Sequence, residues 1–219
     1  MRNTINIRFA VILILTLFSL NQTANAQTRE AKWLHNINNW GGEKFTNYNK
    51  FVSNSEAYLL VGVPLGMGIY DLITKDREHF NKTLTLTASL VGVYALQTSI
   101  KYLVKRDRPF VKYPGYIDNK VEEDGYSFPS NHTGGAFALA TSLSLEYPKW
   151  YIIAPSYLWV SAVGFSRLQL GVHYPSDVIA GAVIGSATSW ACFALKNYII
   201  KRQVRKRINN QSLIVINNY

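Results

Sequence analysis

Five long stretches of the chain carry no charged residue, and each is bounded by charges: residues 57–70, 83–100, 133–145, 150–166 and 178–195. All are longer than the roughly 4–8 residues of a buried strand, so their length predicts helices. The expectation is an all-α helical bundle. Two versions of it are open. One is a set of about five membrane-spanning helices. The other is a soluble all-α protein whose core helices are apolar all round, which a mean hydropathy of −0.01 keeps in play. Several runs are rich in small residues; Gly62 and Gly66, and again Gly181 and Gly185, are spaced so that two helix backbones can approach closely. Pro64 and Pro155 fall inside apolar runs and are expected to kink them.

The first 26 residues have the form of a secretory signal. Arg2 and Arg8 make a basic start, residues 9–20 are almost wholly apolar, and Ala24-Asn25-Ala26 is a small-residue cleavage site. The apolar part is shorter than the roughly 20 residues a spanning helix needs, which favours cleavage after Ala26 over an uncleaved first span, making six spans if it is retained. Either way the following chain is exported, in a bacterium to the periplasmic side of the inner membrane. Residues 27–56, with Trp33, Leu34, Ile37 and Trp40 near helical spacing, are expected to lie on the membrane surface or to pack over the bundle. Residues 57–200 form the main domain and 201–219 a basic cytoplasmic tail.

A formal charge of +10 raises nucleic acid, anionic lipid and phosphate-bearing substrates as partners. Charged residues make up only 16% of the chain, below the roughly 25% of an ordinary soluble domain, and no basic stripe suggests a nucleic-acid surface. The single cysteine, Cys192, excludes an internal disulfide or a cysteine zinc cluster. If the links between runs alternate sides, the last run delivers Lys196, Lys201, Arg202, Arg205, Lys206 and Arg207 to the cytoplasm, as the positive-inside rule prefers. Trp33, Trp40, Tyr48, Phe51, Tyr113, Tyr116 and Tyr126 then fall on the outer side, as an interfacial aromatic belt. Residues 101–120 break the rule, because their basic residues lie outside.

That exception coincides with the residues best suited to chemistry. Lys101 ends the second run and Arg108-Pro109 follows after six residues, about two helical turns, so both side chains are expected to lean toward one site before proline ends the helix. Pro129-Ser130-Asn131-His132 opens the third run, and a helix N-terminus is a ready anion site. Ser166-Arg167 closes the fourth run, and His173 and Asp177 have the i, i+4 spacing of one helical face. Each has an ordinary reading when taken alone: Lys101 as a snorkelling helix-end lysine, Arg167 as an interfacial anchor, Asp177 as an N-terminal helix carboxylate.

Taken together, Lys101-(six residues)-Arg108-Pro109, Pro129-Ser130-Asn131-His132 and Ser166-Arg167-(five residues)-His173-(three residues)-Asp177 resemble the three motifs of the type 2 phosphatidic acid phosphatase (PAP2) family. That family also includes vanadium haloperoxidases and bacterial class A acid phosphatases. The resemblance covers about residues 57–196. One departure is Asn131, where the family usually has glycine. By this resemblance the fold is a PAP2-type helical bundle, His173 attacks phosphorus to give a phosphohistidine, Asp177 orients its ring, and His132 protonates the leaving oxygen. Lys101, Arg108, Arg167, Ser130 and the N–H of Asn131 hold the phosphate. No metal or other cofactor is implied, because three cationic side chains do the work a magnesium ion would do.

The resulting expectation is a membrane phosphatase acting on a lipid phosphate or diphosphate at the periplasmic face. Undecaprenyl diphosphate, lipid A, phosphatidylglycerol phosphate and phosphatidic acid are the candidates, with the lipid bilayer as partner and no nucleic acid. A soluble acid phosphatase for small phosphoesters, a vanadate-dependent haloperoxidase and a non-catalytic lipid-binding protein are the alternatives. The loop 109–128 is expected to select the substrate; its Glu122-Glu123-Asp124 run either selects against or positions a second charge or, as the simpler reading, is a solvated loop.

Overall fold

The structure is a computed structural model, and it describes residues 24–216. The apolar run read as part of a secretory signal, residues 9–20, lies outside the described residues. Among the described residues there are six long helices, one short helix and no strand. They are α1 (Ala24–Asn38), α2 (Glu43–Thr74), α3 (Arg77–Val104), α4 (Pro109–Lys112), α5 (Asn131–Glu146), α6 (Trp150–Gln169) and α7 (Pro175–Ile216).

Each of the five uncharged runs lies in one helix, from α2 and α3 through α5, α6 and α7. Short connections at 75–76, 147–149 and 170–174 fold these helices up and down. Local signals set the ends. Lys75 and Lys105 adopt the left-handed conformation (φ 54° and 50°) and terminate α2 and α3. The Asp76 carboxylate caps α3 by accepting from the N–H groups of Glu78 and His79 at 2.8 and 3.2 Å. The helices outrun the apolar stretches that define them: α2 begins upstream of residue 57, and α7 continues past residue 201 into the basic tail.

Helix α5 is the hub, packing against α2, α3, α6 and α7. Its closest partner is α7, and the reason is steric. A Cβ at Gly185 would come within 2.2 Å of the Gly134 carbonyl oxygen, and one at Gly181 within 2.6 Å of the Ser130 carbonyl oxygen. The Gly181/Gly185 pair therefore permits backbone-to-backbone contact, as its spacing suggests. Gly62 and Gly66 do not behave this way. Nothing lies within 4 Å of a Cβ at either, so they face outward from α2. Ala136, Ala140, Val160, Val163 and Val52 form the core between α5, α6 and α2.

Three helical stretches, Glu43–Thr74, Arg77–Lys112 and Pro175–Arg205, are long and apolar enough to cross a membrane. The run 133–145 is apolar for another reason. Helix α5 has 16 residues, about 24 Å, short of the ~30 Å hydrocarbon layer, and Ala136, Ala138, Leu139 and Ala140 are wholly or almost wholly buried among neighbouring helices. The outer helices show the converse: Tyr58, Leu72 and Ile73 on α2, Leu103 on α3 and Leu158 on α6 are more than 70% exposed. Apolar side chains pointing outward over that area mark a surface made for lipid or for another protein.

Helix α1 lies across the end of the bundle where α3 ends and α5 and α7 begin. Leu34 is fully buried against Ile117 and Tyr174. Asn38 fastens the end of α1: its Nδ2 donates to the carbonyls of Asp118 and Gln169 (3.1 and 2.9 Å), and its Oδ1 accepts from the Asp118 N–H (2.9 Å).

Candidate active site

All eight residues singled out by the three motifs lie at that same end. Lys101 stands on the last turn of α3 and donates to the Tyr126 carbonyl at 2.7 Å. Arg108 is not on that helix. The left-handed Lys105, not proline, ends α3, and the chain turns so that Arg108 caps α4. Arg108 is 3% exposed and fixed by carbonyls: Nε to Gly125 (3.1 Å), Nη1 to Val172 (3.1 Å) and Nη2 to Asp124 (2.8 Å). The loop 113–130 thus wraps the guanidinium and leaves little freedom to its charge.

Ser130 is the N-cap of α5 and accepts from the Thr133 N–H at 3.4 Å, with its hydroxyl 3.0 Å from that of Thr133. Asn131 is the first helical residue, in ordinary helical geometry, so no left-handed backbone is needed where the family usually has glycine. Its side chain joins the cavity wall. His132 follows on the same turn. Arg167, at the end of α6, is 2% exposed and donates from Nη1 to Ser53 Oγ of α2 at 2.6 Å.

His173 precedes α7 and Asp177 lies in its first turn, so a turn followed by a helix start brings them together instead of one helical face. His173 Nδ1 is 3.5 Å from Asp177 Oδ2, and His173 Nε2 is 3.5 Å from Arg108 Nη1. Both side chains are buried. The ring therefore presents Nε2 to the cations and Nδ1 to the carboxylate. Burial first, then the charges of Arg167, Arg108 and Lys101, hold His173 well below the usual histidine range, so it is neutral with a free lone pair. His132 is also held low, by burial and then by Arg167, His173, Arg108 and Lys101.

Among residues that the motifs did not single out, Glu123 and Arg106 make the closest charge contacts with the site, and Glu56 of α2 also lines its cavity. Glu123, read from sequence as a solvated loop residue, places Oε1 2.7 Å from Arg167 Nη2, 3.7 Å from Arg108 Nη2 and 3.9 Å from His132 Nδ1. The cation cluster attracts whatever anion can reach it, and a loop carboxylate can. Arg106 donates to Asp177 Oδ1 at 2.6 Å and to Ser176 Oγ at 2.7 Å, and its Nη2 meets Glu30 of α1 at 2.7 Å. In sequence, Arg106 stands beside Lys105 and two positions from Arg108, and nothing in that cluster distinguishes its role.

A cavity of about 470 Å³ opens onto these groups. Its polar end holds Lys101, Arg108, Glu123, Asn131, His132 and His173. Its other end runs along the seam between α2 and α3, walled by Leu60, Val61, Leu90, Val93 and Tyr94. Three cations around a neutral histidine can bind a tetrahedral dianion and stabilise the charge that spreads over its oxygens when a bond to phosphorus breaks.

The profile of the PAP2 superfamily matches residues 82–201. The chain is 34% identical over 87 residues to the lipid A 4'-phosphatase of Bacteroides thetaiotaomicron, covering 40% of this chain and 39% of that protein. It is 37% identical over 111 residues to the undecaprenyl-diphosphatase of Sulfolobus acidocaldarius, covering 50% and 52%. The matched part thus spans from about two fifths to half of those relatives. The crystal structure of a transmembrane PAP2-type phosphatidylglycerolphosphate phosphatase from Bacillus subtilis has the same fold, with a TM-score of 0.70, 20% identity, and coverage of 86% of this chain and 94% of that one.

Proposed function

The chain belongs to the PAP2 superfamily, and on that premise we propose that it is a metal-independent membrane phosphatase that hydrolyses a lipid phosphate or diphosphate at the periplasmic face. The observation that carries the lipid part of this reading is the shape of the cavity. Its cationic end fits a phosphate headgroup, and its apolar end follows the α2/α3 seam toward the outward-facing side chains of those helices. A substrate whose tail remains in the bilayer matches both ends, whereas a small soluble ester would use only the first.

In the proposed reaction, Lys101, Arg108 and Arg167 bind the phosphoryl oxygens, with Ser130 and the N–H of Asn131 at the start of α5 as further donors. Nε2 of His173 attacks phosphorus and the bond from phosphorus to the ester oxygen breaks. The leaving oxygen takes a proton from His132. Burial first, and then the neighbouring cations, keep His132 unprotonated; a bound dianion offsets the cationic part and so favours the protonated ring. Asp177 holds Nδ1 of His173 and stabilises the ring as it becomes cationic, which requires the 3.5 Å separation to close slightly. Water then attacks the phosphohistidine, His132 accepts its proton, the phosphorus–nitrogen bond breaks and inorganic phosphate leaves.

The relatives named above act on lipid A and undecaprenyl diphosphate by their names, and these with phosphatidylglycerol phosphate and phosphatidic acid are the proposed substrate set. The test is phosphate release by the purified full chain from these four lipids and from p-nitrophenyl phosphate, with and without chelator. The expected result is chelator-resistant release with a preference for one or more lipids. Release only from the soluble ester, or loss on chelation, would overturn the reading.

A further inference from the structure

Asp177 is held from outside the three motifs. Arg106 Nη1 donates to Oδ1 at 2.6 Å and the Tyr174 N–H donates to Oδ2 at 2.9 Å, so both carboxylate oxygens are held, and the Ser127 side chain adds a further hydrogen-bonding contact. Oδ2 is the oxygen facing His173. The two donors therefore set the plane of the carboxylate, and with it the angle at which Asp177 meets the imidazole. Arg106 is itself held at both terminal nitrogens, while its buried Nε has no hydrogen-bond partner. Its Nη1 also reaches Ser176 Oγ, its Nη2 meets Glu30 Oε2 at 2.7 Å, and its guanidinium lies 3.9 Å over the Tyr174 ring.

Glu30 uses both oxygens. Oε2 takes Arg106, and Oε1 accepts from the Ser176 N–H at 3.1 Å, one of the backbone donors that the start of α7 leaves without a helical partner. Glu30 stands on α1, one turn before Leu34 and two before Asn38, the residues that dock α1 onto the bundle, and it lies outside the family match at 82–201. Its charge has a consequence beyond packing. Arg106 with Asp177 alone is a neutral pair, in which the guanidinium cancels much of what the carboxylate offers the imidazole. Adding Glu30 returns the triad to a net charge of −1, leaving Asp177 free to act on His173.

We infer that Arg106 and Glu30 are positioning residues for the Asp177–His173 pair, so that helix α1 completes the catalytic apparatus instead of merely covering it. This rests on the reaction proposed above. Both residues act through Asp177 and are not among the groups proposed to hold the phosphate, so the effect is expected in the chemical step and not in binding.

The test uses the full chain with Glu30→Gln, Arg106→Gln and Arg106→Lys, measuring kcat, KM and inhibition by vanadate, a probe of the phosphate site. Outer-shell partners of this kind are worth about 10- to 100-fold in activity. The expected result is a kcat loss of that size for Glu30→Gln and Arg106→Gln, partial recovery in Arg106→Lys, and KM and the vanadate inhibition constant within about twofold of wild type. Glu30→Gln keeps the side-chain shape and carries the test alone if Arg106→Gln does not fold. A kcat within about twofold of wild type in folded Glu30→Gln would overturn the inference, as would a parallel loss of vanadate affinity, which signals general distortion. Wild-type chain that releases no phosphate from any ester would sink the functional reading and this inference together, whereas an active wild type with an unaffected Glu30→Gln sinks the inference alone.

Discussion

The Glu123 carboxylate occupies the position an anionic substrate would need, 2.7 Å from Nη2 of Arg167 and within 4 Å of Arg108 and His132. A bound phosphate and this carboxylate compete for the same donors. Glu123→Gln is expected to tighten inhibition by inorganic phosphate and by vanadate about tenfold, since a charge-assisted hydrogen bond is worth roughly 1.5–3 kcal/mol. Unchanged inhibition constants in the folded variant would show that Glu123 moves aside without cost.

His173 is the proposed nucleophile, its Nε2 facing Arg108 and its Nδ1 facing Asp177. His173→Ala is expected to abolish phosphate release while leaving the melting temperature close to that of wild type. Wild type exposed to labelled substrate and quenched in alkaline denaturant, where a phosphorus–nitrogen bond survives, is expected to hold acid-labile label on histidine, and His173→Ala none. Near-normal activity in the variant would refute the covalent route.

The two glycine pairs give opposite predictions. Gly185→Ala forces a methyl group to within 2.2 Å of the Gly134 carbonyl and is expected to destabilise by about 1–3 kcal/mol, visible as a lower melting temperature in detergent. Gly62→Ala points into open space on an outward helix face and is expected to be neutral or slightly stabilising. Equal effects at both sites would contradict the α5/α7 packing.

The pH dependence of stability follows from the two histidines. His132 and His173 are held below their ordinary value in the folded chain, so between the folded values and about pH 6.5 the unfolded chain binds more protons. Their contribution is fully present above about pH 6.5 and is lost as pH falls through that window. Melting temperature is expected to drop between pH 7.5 and 5 in wild type and to drop less in a His132→Asn, His173→Asn double variant. Identical slopes would mean that the histidines are not held neutral.

The α2/α3 seam is expected to distinguish lipid from soluble substrates. Val61→Trp fills the apolar end of the cavity without touching its cations. It is expected to raise KM for a lipid phosphate about tenfold or more while leaving p-nitrophenyl phosphate hydrolysis near wild type. Loss of both activities together would place the tail elsewhere.

The helix class and the motif residues were legible in sequence because both leave local marks: uncharged runs mark helices, and Lys101, Arg108, Ser130, His132, Arg167, His173 and Asp177 stand at fixed spacings. Where local reading failed, a distant partner decided. The run 133–145 looks like a lipid-facing span by composition, yet in α5 it is buried because four other helices surround it. Gly62 and Gly66 have the spacing of Gly181 and Gly185, but only the second pair meets another backbone.

Glu123 and Arg106 show the same division in the site. A run of three acids in a loop carries no local sign that one will turn inward, and an arginine beside a lysine carries none that it will hold an aspartate 71 positions away. By itself the sequence determined the helical class, the family resemblance and which side chains could do the chemistry, since those depend on composition and short spacings. Tertiary structure decided which charges meet. Coulombic pairing depends on distance in space, and only the packed bundle brings Glu30, Arg106 and Asp177 into line and sets Glu123 against Arg167.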